Sequence, residues 1–97
     1  MTNSIRKGKQ AERDVVNILK EAGVPAKRIG LMETNHKDHG DVELNIAGIF
    51  KAQVKSGGHV PITLYKFLEH EDLVFCKRDR NKWLVCMKLD LFLDKFI

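Results

Sequence analysis

Hydrophobic positions change period along this chain, and the changes mark its elements. Ala11, Val15, Ile18, Leu19 and Ala22 recur at i, i+3, i+4 and i+7, which predicts an amphipathic helix from Gly8 onward. Gly23 supplies its stop, with Pro25 just beyond. Residues 1 to 6 read as a flexible arm ahead of it. Ala26 to Leu31 is a short candidate strand that begins with Lys27 and Arg28, and Met32 to Gly40 is a polar loop. The period then falls to two. Val42, Leu44 and Ile46 alternate with Asp41, Glu43 and Asn45; Phe50, Ala52 and Val54 alternate with Lys51, Gln53 and Lys55.

The register of this strand pair follows from keeping both apolar sets on one face. A two-residue turn would set Val42 against Gln53 and mix the faces. A three-residue loop, Ile46-Ala47-Gly48, pairs Asn45 with Ile49, Glu43 with Lys51 and Asp41 with Gln53. Glycine at the last loop position suits the left-handed backbone such loops need.

Ser56 to His59 is a break. After Pro61, Thr63 to His70 reads as a short helix with Leu64, Phe67 and Leu68 as apolar contacts. Leu73–Cys76 and Trp83–Met87 form a hairpin joined by the charged run Lys77–Lys82. Leu89, Phe92, Leu93 and Phe96 repeat at helical spacing, so the chain closes on an amphipathic helix. Trp83 leads an apolar strand, which assigns it to the core or a sheet edge rather than to base stacking. The order of helix, strands, helix, strands, helix predicts an α/β (α+β) fold with a central mixed sheet flanked by helices. At 97 residues, one domain spanning 1–97 is expected.

Composition narrows the class. A hydrophobic fraction of 43% and a charged fraction of 31% are those of a folded soluble protein, not a disordered one. No apolar run approaches the roughly 20 residues that span a bilayer, and the N-terminus lacks a secretory apolar centre, so no membrane association and a cytoplasmic location are expected. The net charge is +4, with basic residues gathered in Arg6, Lys7 and Lys9, in Lys27 and Arg28, and in Lys77, Arg78, Arg80 and Lys82. Such a balance fits a polyanionic partner, above all nucleic acid, and equally fits a solvated basic surface. Cys76 and Cys86 each sit in an apolar run without CxxC spacing and read as buried reduced thiols.

The polar side of the strand pair carries candidate chemistry. Asp41 offers a carboxylate oxygen, Gln53 an amide oxygen, and Lys55 an ammonium two residues further along the same strand. Magnesium takes hard oxygen ligands and keeps several waters. A lysine beside it can stabilise charge developing on a phosphate or position a metal-bound water. Glu12, at the edge of the helical stripe, could add a second acid, through water or by holding Lys55. The competing readings are a surface ladder of charged pairs such as Glu43 opposite Lys51, and for Glu12 an exposed first-turn acid. His36 and His39 with Asp41 make a weaker transition-metal candidate, because loop histidines without a supporting pattern are ordinary surface residues.

Gly8-x-x-x-Glu12-Arg13 on the opening helix, then Gly40-Asp41, then Gln53-Val54-Lys55-Ser56, resembles the PD-(D/E)XK nuclease superfamily. Within it the chain looks like the small Holliday-junction resolvase-type endonucleases, over about residues 6 to 96. The resemblance implies a restriction-endonuclease-like core and magnesium-dependent hydrolysis of DNA phosphodiesters, with manganese able to substitute. It implies Glu12, Asp41, Gln53 and Lys55 as the active-site set, with Asp41, Gln53, the Val54 carbonyl and Glu12 about the metal. It also implies a homodimer on branched DNA, contacted by Arg6, Lys7, Lys9 and Arg13. Two positions depart from the pattern. His39 stands where proline is frequent, and Gln53 stands where glutamate is commoner, which removes one negative charge from a metal site. A catalytically weak or inactive nucleic-acid-binding module on the same fold is therefore the alternative. A third reading is a small protein that inhibits or adapts another enzyme.

Overall fold

The computed structural model describes residues 2–29 and 41–97, with side chains from Lys7 onward. The predicted loop with Asn35, His36, Lys37, Asp38 and His39, and also Leu31 and Gly40, lie outside the described residues. The chain divides into two compact units, Met1–Gly57 and Gly58–Ile97. The class is mixed α and β, with three α-helices and two small sheets among the described residues.

The first unit opens with helix α1, Thr2–Glu21. Residues 2–6 are thus helical, where a flexible arm was expected. No proline or glycine interrupts Thr2 to Lys7, and once a helix is nucleated each further residue adds a hydrogen bond. The buried face is also turned from the expected stripe. Val16 and Leu19 are buried, Ala11, Glu12 and Val15 are half-buried, and Ile18 and Ala22 are exposed. Positions 12, 15, 16 and 19 form their own i, i+3, i+4, i+7 set, so Glu12 belongs to the inner face rather than its edge. The helix ends as Gly23 predicts. Gly23 takes φ 89°, its N–H donates to the Lys20 carbonyl at 3.0 Å, and Val24 N–H donates to the Leu19 carbonyl at 2.8 Å. This is a Schellman ending, and its accompanying apolar pair, Leu19 and Val24, is buried.

Three strands follow: β1 (Ala26–Arg28), β2 (Val42–Asn45) and β3 (Ile49–Ala52), in the order β1-β2-β3, all antiparallel. Asn45 pairs with Ile49 and Glu43 with Lys51, as the three-residue loop requires. In that loop Ala47 takes φ 54° and Gly48 φ 140°, and the Asn45 side chain accepts the Gly48 N–H at 3.0 Å. Val42, with 0% exposure, is the most deeply buried residue of the sheet. Ala26 pairs with Leu44, and Arg28 with Val42. The small core of this unit is Val16, Leu19, Val24 and Val42.

The second unit contains helix α2 (Ile62–Phe67), strands β4 (Val74–Cys76) and β5 (Leu84–Cys86), and helix α3 (Leu89–Phe96). Helix α2 stops before the expected His70. The backbone of Leu68 leaves helical geometry at φ −83°, ψ 0°, and the residues after it, Glu69 to Asp72, are all exposed and polar. Leu64 and Leu68 turn inward; Phe67 is exposed. Strands β4 and β5 pair antiparallel through Val74–Cys86, Phe75–Val85 and Cys76–Leu84. Cys76 and Cys86 are free and only half-buried. Trp83 is 65% exposed, so of the two expected placements, core and sheet edge, the core is excluded. Residue 83 precedes β5 on the same side of the hairpin as Phe75 and Val85, and that side faces outward. All strand pairs among the described residues are antiparallel; the parallel pair that a mixed sheet needs is not among them.

Candidate functional site

The candidate site is built where β2 begins and β3 ends. In a central antiparallel strand, alternate residues turn their backbone groups to opposite neighbours. Asn45 N–H accordingly donates to Pro25 and Ile46 N–H to Gly48. Asp41 breaks this alternation. Its carbonyl accepts the Ile29 N–H at 3.0 Å on the β1 side, while its own N–H donates to the Ala52 carbonyl at 2.7 Å on the β3 side. The side chain adds a third tie, Val54 N–H donating to Asp41 Oδ2 at 2.9 Å.

The regular ladder therefore stops at Val42–Ala52, and Asp41 does not continue it by facing Gln53. Its carboxylate instead stands where another β2 residue would accept the Val54 N–H. That contact closes the end of the sheet and leaves Asp41 half-buried. It also draws the carboxylate to the backbone of the Gln53-Val54-Lys55 segment. Gln53 and Lys55 are both exposed, and Val54 is half-buried.

Glu12 has a different neighbour from the one expected. Its Oε1 accepts from Arg28 Nε at 3.1 Å, with side-chain exposures of 20% for Glu12 and 35% for Arg28. The reason lies in the turned face of α1. A carboxylate on the inner stripe must find a partner, since burying it alone is costly. Arg28 is opposite Val42, on the side of the sheet that α1 covers. In the sequence Arg28 stands in a basic cluster at the start of a candidate strand. The signal that could have found the pair is the 12, 15, 16, 19 spacing, which turns Glu12 inward and calls for a cation on the adjoining strand.

On the other side of the sheet, Lys27, Glu43 and Lys51 are successive cross-strand neighbours. They form a charged ladder across the three strands. A shallow cavity of about 230 Å³ opens beside them, lined by Pro25, Lys27, Glu43, Asn45 and Ile49. Of the expected DNA-contacting residues, Lys7, Lys9 and Arg13 are exposed on α1; the Arg6 side chain lies outside the described residues. Lys9 and Arg13 are four residues apart and share a flank of the helix.

The oxygens that this segment offers are hard ones: the Asp41 carboxylate, tied to the Val54 N–H, and in the strand segment it touches the Gln53 amide and the Val54 carbonyl. That set fits an ion of the magnesium type, which needs only one or two carboxylates and completes its shell with water and phosphate. Among the described residues no group of three or more His, Cys, Asp or Glu side chains comes together, which makes the fit one of a sparse site, not a cage. No helix among the described residues is long and apolar enough to cross a membrane. Comparison with protein-family models, with curated proteins and with solved structures finds no match to this chain.

Proposed function

We propose that this protein is a metal-dependent endonuclease that hydrolyses DNA phosphodiester bonds, acting as a homodimer on branched DNA such as a four-way junction. The observation that carries this reading is the Asp41 carboxylate bound to the Val54 N–H at 2.9 Å. It ties the acid of the motif to the strand segment that bears the amide and the lysine, which supports this reading. The finer architecture, a restriction-endonuclease-like core, belongs to the same proposal.

In this reading Asp41, the Gln53 amide oxygen and the Val54 carbonyl hold magnesium. The bound ion supplies charge neutralisation at the phosphate and a more acidic water. Lys55, exposed and next in the chain to Val54, places its ammonium against the phosphoryl oxygens where negative charge grows. Three backbone and side-chain hydrogen bonds fix Asp41, so its carboxylate need not be ordered when substrate arrives. Glu12, paired with Arg28, acts by holding α1 on β1. Lys7, Lys9 and Arg13 contribute contacts to phosphates.

Asp41→Asn and Lys55→Ala test the proposal. Each should reduce magnesium-dependent cleavage of a four-way junction by at least about 100-fold, the scale seen when a charge-stabilising group is removed, with circular dichroism unchanged. Cleavage at wild-type rates by both variants would rule the site out.

A second reading has its own support. Glu12 is engaged by Arg28, Gln53 is neutral, and no group of three or more His, Cys, Asp or Glu side chains forms among the described residues. A nucleic-acid-binding module on the same fold would bind DNA with strong salt dependence and show no nicking in magnesium or manganese.

A further inference from the structure

The hairpin of β4 and β5 exposes what a folded domain normally covers. Phe75 is 66% exposed and Trp83 65%, and Val85, the cross-strand partner of Phe75, is exposed with them. The register that pairs Phe75 with Val85 carries Lys77 and Trp83 to the same side, one step toward the tip. There Lys77 Nζ lies 5.8 Å from the Trp83 ring centroid, over its face. Beyond them the tip is basic. Arg78, Arg80 and Lys82 outnumber the single acid Asp79, and an open concavity of about 550 Å³ is lined by Arg78, Arg80, Asn81, Lys82 and Leu84.

An apolar side alone names no occupant. Two aromatic faces beside a run of cations do, because they match the two halves of a nucleotide. Bases stack on exposed aromatic rings, and phosphates lie along the cations. A protein partner that covered Phe75 and Val85 would have to bury or pair the adjoining Lys77 and arginines at a cost, whereas an unpaired DNA strand supplies its own neutralising charge. Duplex DNA fits less well, since its bases are already stacked.

We propose that the β4–β5 hairpin is a docking surface for single-stranded DNA, with Trp83 and Phe75 as the stacking platform and Lys77, Arg78, Arg80 and Lys82 as phosphate contacts. The choice of DNA rests on the reading given under Proposed function. The binding itself does not, for it uses neither Asp41 nor a metal. In a nuclease of branched substrates such a surface would hold bases that lose their partners at the branch.

Trp83 is the only tryptophan in the chain, so its emission reports this surface directly. The full-length protein is titrated with oligo-dT in EDTA, following Trp83 emission, and in parallel with labelled oligo-dT by anisotropy. Quenching that saturates with the anisotropy change is expected, together with about ten-fold weaker binding in Trp83→Ala. Trp83→Phe, which keeps an aromatic face, should recover most of the loss. Replacing Arg78, Arg80 and Lys82 by Gln should flatten the dependence of log affinity on log salt by about 0.7 for each lost contact. Asp41→Asn should bind oligo-dT like the wild type even if it no longer cleaves, which separates failure of this surface from failure of the catalytic reading. Oligo-dT binding without Trp83 quenching, or equal affinity in Trp83→Ala, would overturn the proposal. So would a preference for oligo-rU over oligo-dT, or self-association lost in Trp83→Ala with no oligonucleotide affinity, which would assign the face to a second copy of the chain.

Discussion

Two carboxylates that resemble each other in the sequence do different work in the fold. Asp41 is tied at the end of a sheet through its carbonyl, its N–H and its side chain. Glu12 is a partly buried acid on the inner face of a helix, matched to Arg28. The second arrangement makes a quantitative prediction. In a double-mutant cycle of Glu12→Gln and Arg28→Gln, read by urea unfolding, the pair should show a coupling of about 1 kcal/mol, since both side chains keep some contact with solvent. Zero coupling would mean that the contact is incidental. Glu12→Gln should also change cleavage far less than Asp41→Asn if Glu12 serves to position α1 rather than to meet the metal, with junction cleavage by each variant as the measurement.

The elements were legible in the sequence where a local rule determined them. Gly23 ended α1 because only a left-handed residue completes a Schellman turn, and the β2–β3 register followed from the two-residue period and a three-residue loop. What escaped was set by tertiary packing. Two overlapping apolar stripes exist on α1, one through Ile18 and Ala22 and one through Glu12 and Val16; the sheet with Val42 at its centre selects the second. Trp83 looked like core because it leads apolar residues, yet alternation alone does not say which side of a two-stranded ribbon is covered. The candidate site was similarly half-visible. The residues of Gly40-Asp41 and Gln53-Val54-Lys55 could be read directly, whereas the slip of the ladder at Asp41 depends on its side chain capturing a backbone N–H. Gly8 offers a test of α1 itself. It lies inside the helix, and a Cβ added there meets nothing within 4 Å. Gly8→Ala should therefore raise stability by about 0.5 to 1 kcal/mol in urea unfolding. A loss of stability would show that this glycine is needed for a packing contact.

At the scale of the whole molecule, the two proposed sites fall in separate compact units. The first carries the candidate metal donors and the exposed Lys7, Lys9 and Arg13; the second carries the aromatic and basic hairpin. Stability in such a protein is local as well as global, and backbone amides open in segments with separate free energies. The tie between Asp41 and Val54 then has a consequence that activity assays do not register. In amide hydrogen exchange, Val54 owes its hydrogen-bond acceptor to a side chain, not to a neighbouring strand. Its amide should exchange slowly in the wild type and in Asp41→Asn, whose amide oxygen can still accept. In Asp41→Ala it should exchange at least about ten-fold faster, the loss expected for one hydrogen bond of about 1.4 kcal/mol, while the amides of Leu19 and Val42 in the core keep their rates. The exchange rate of the Val54 amide thus reports, in solution and without any substrate, whether the aspartate is in place.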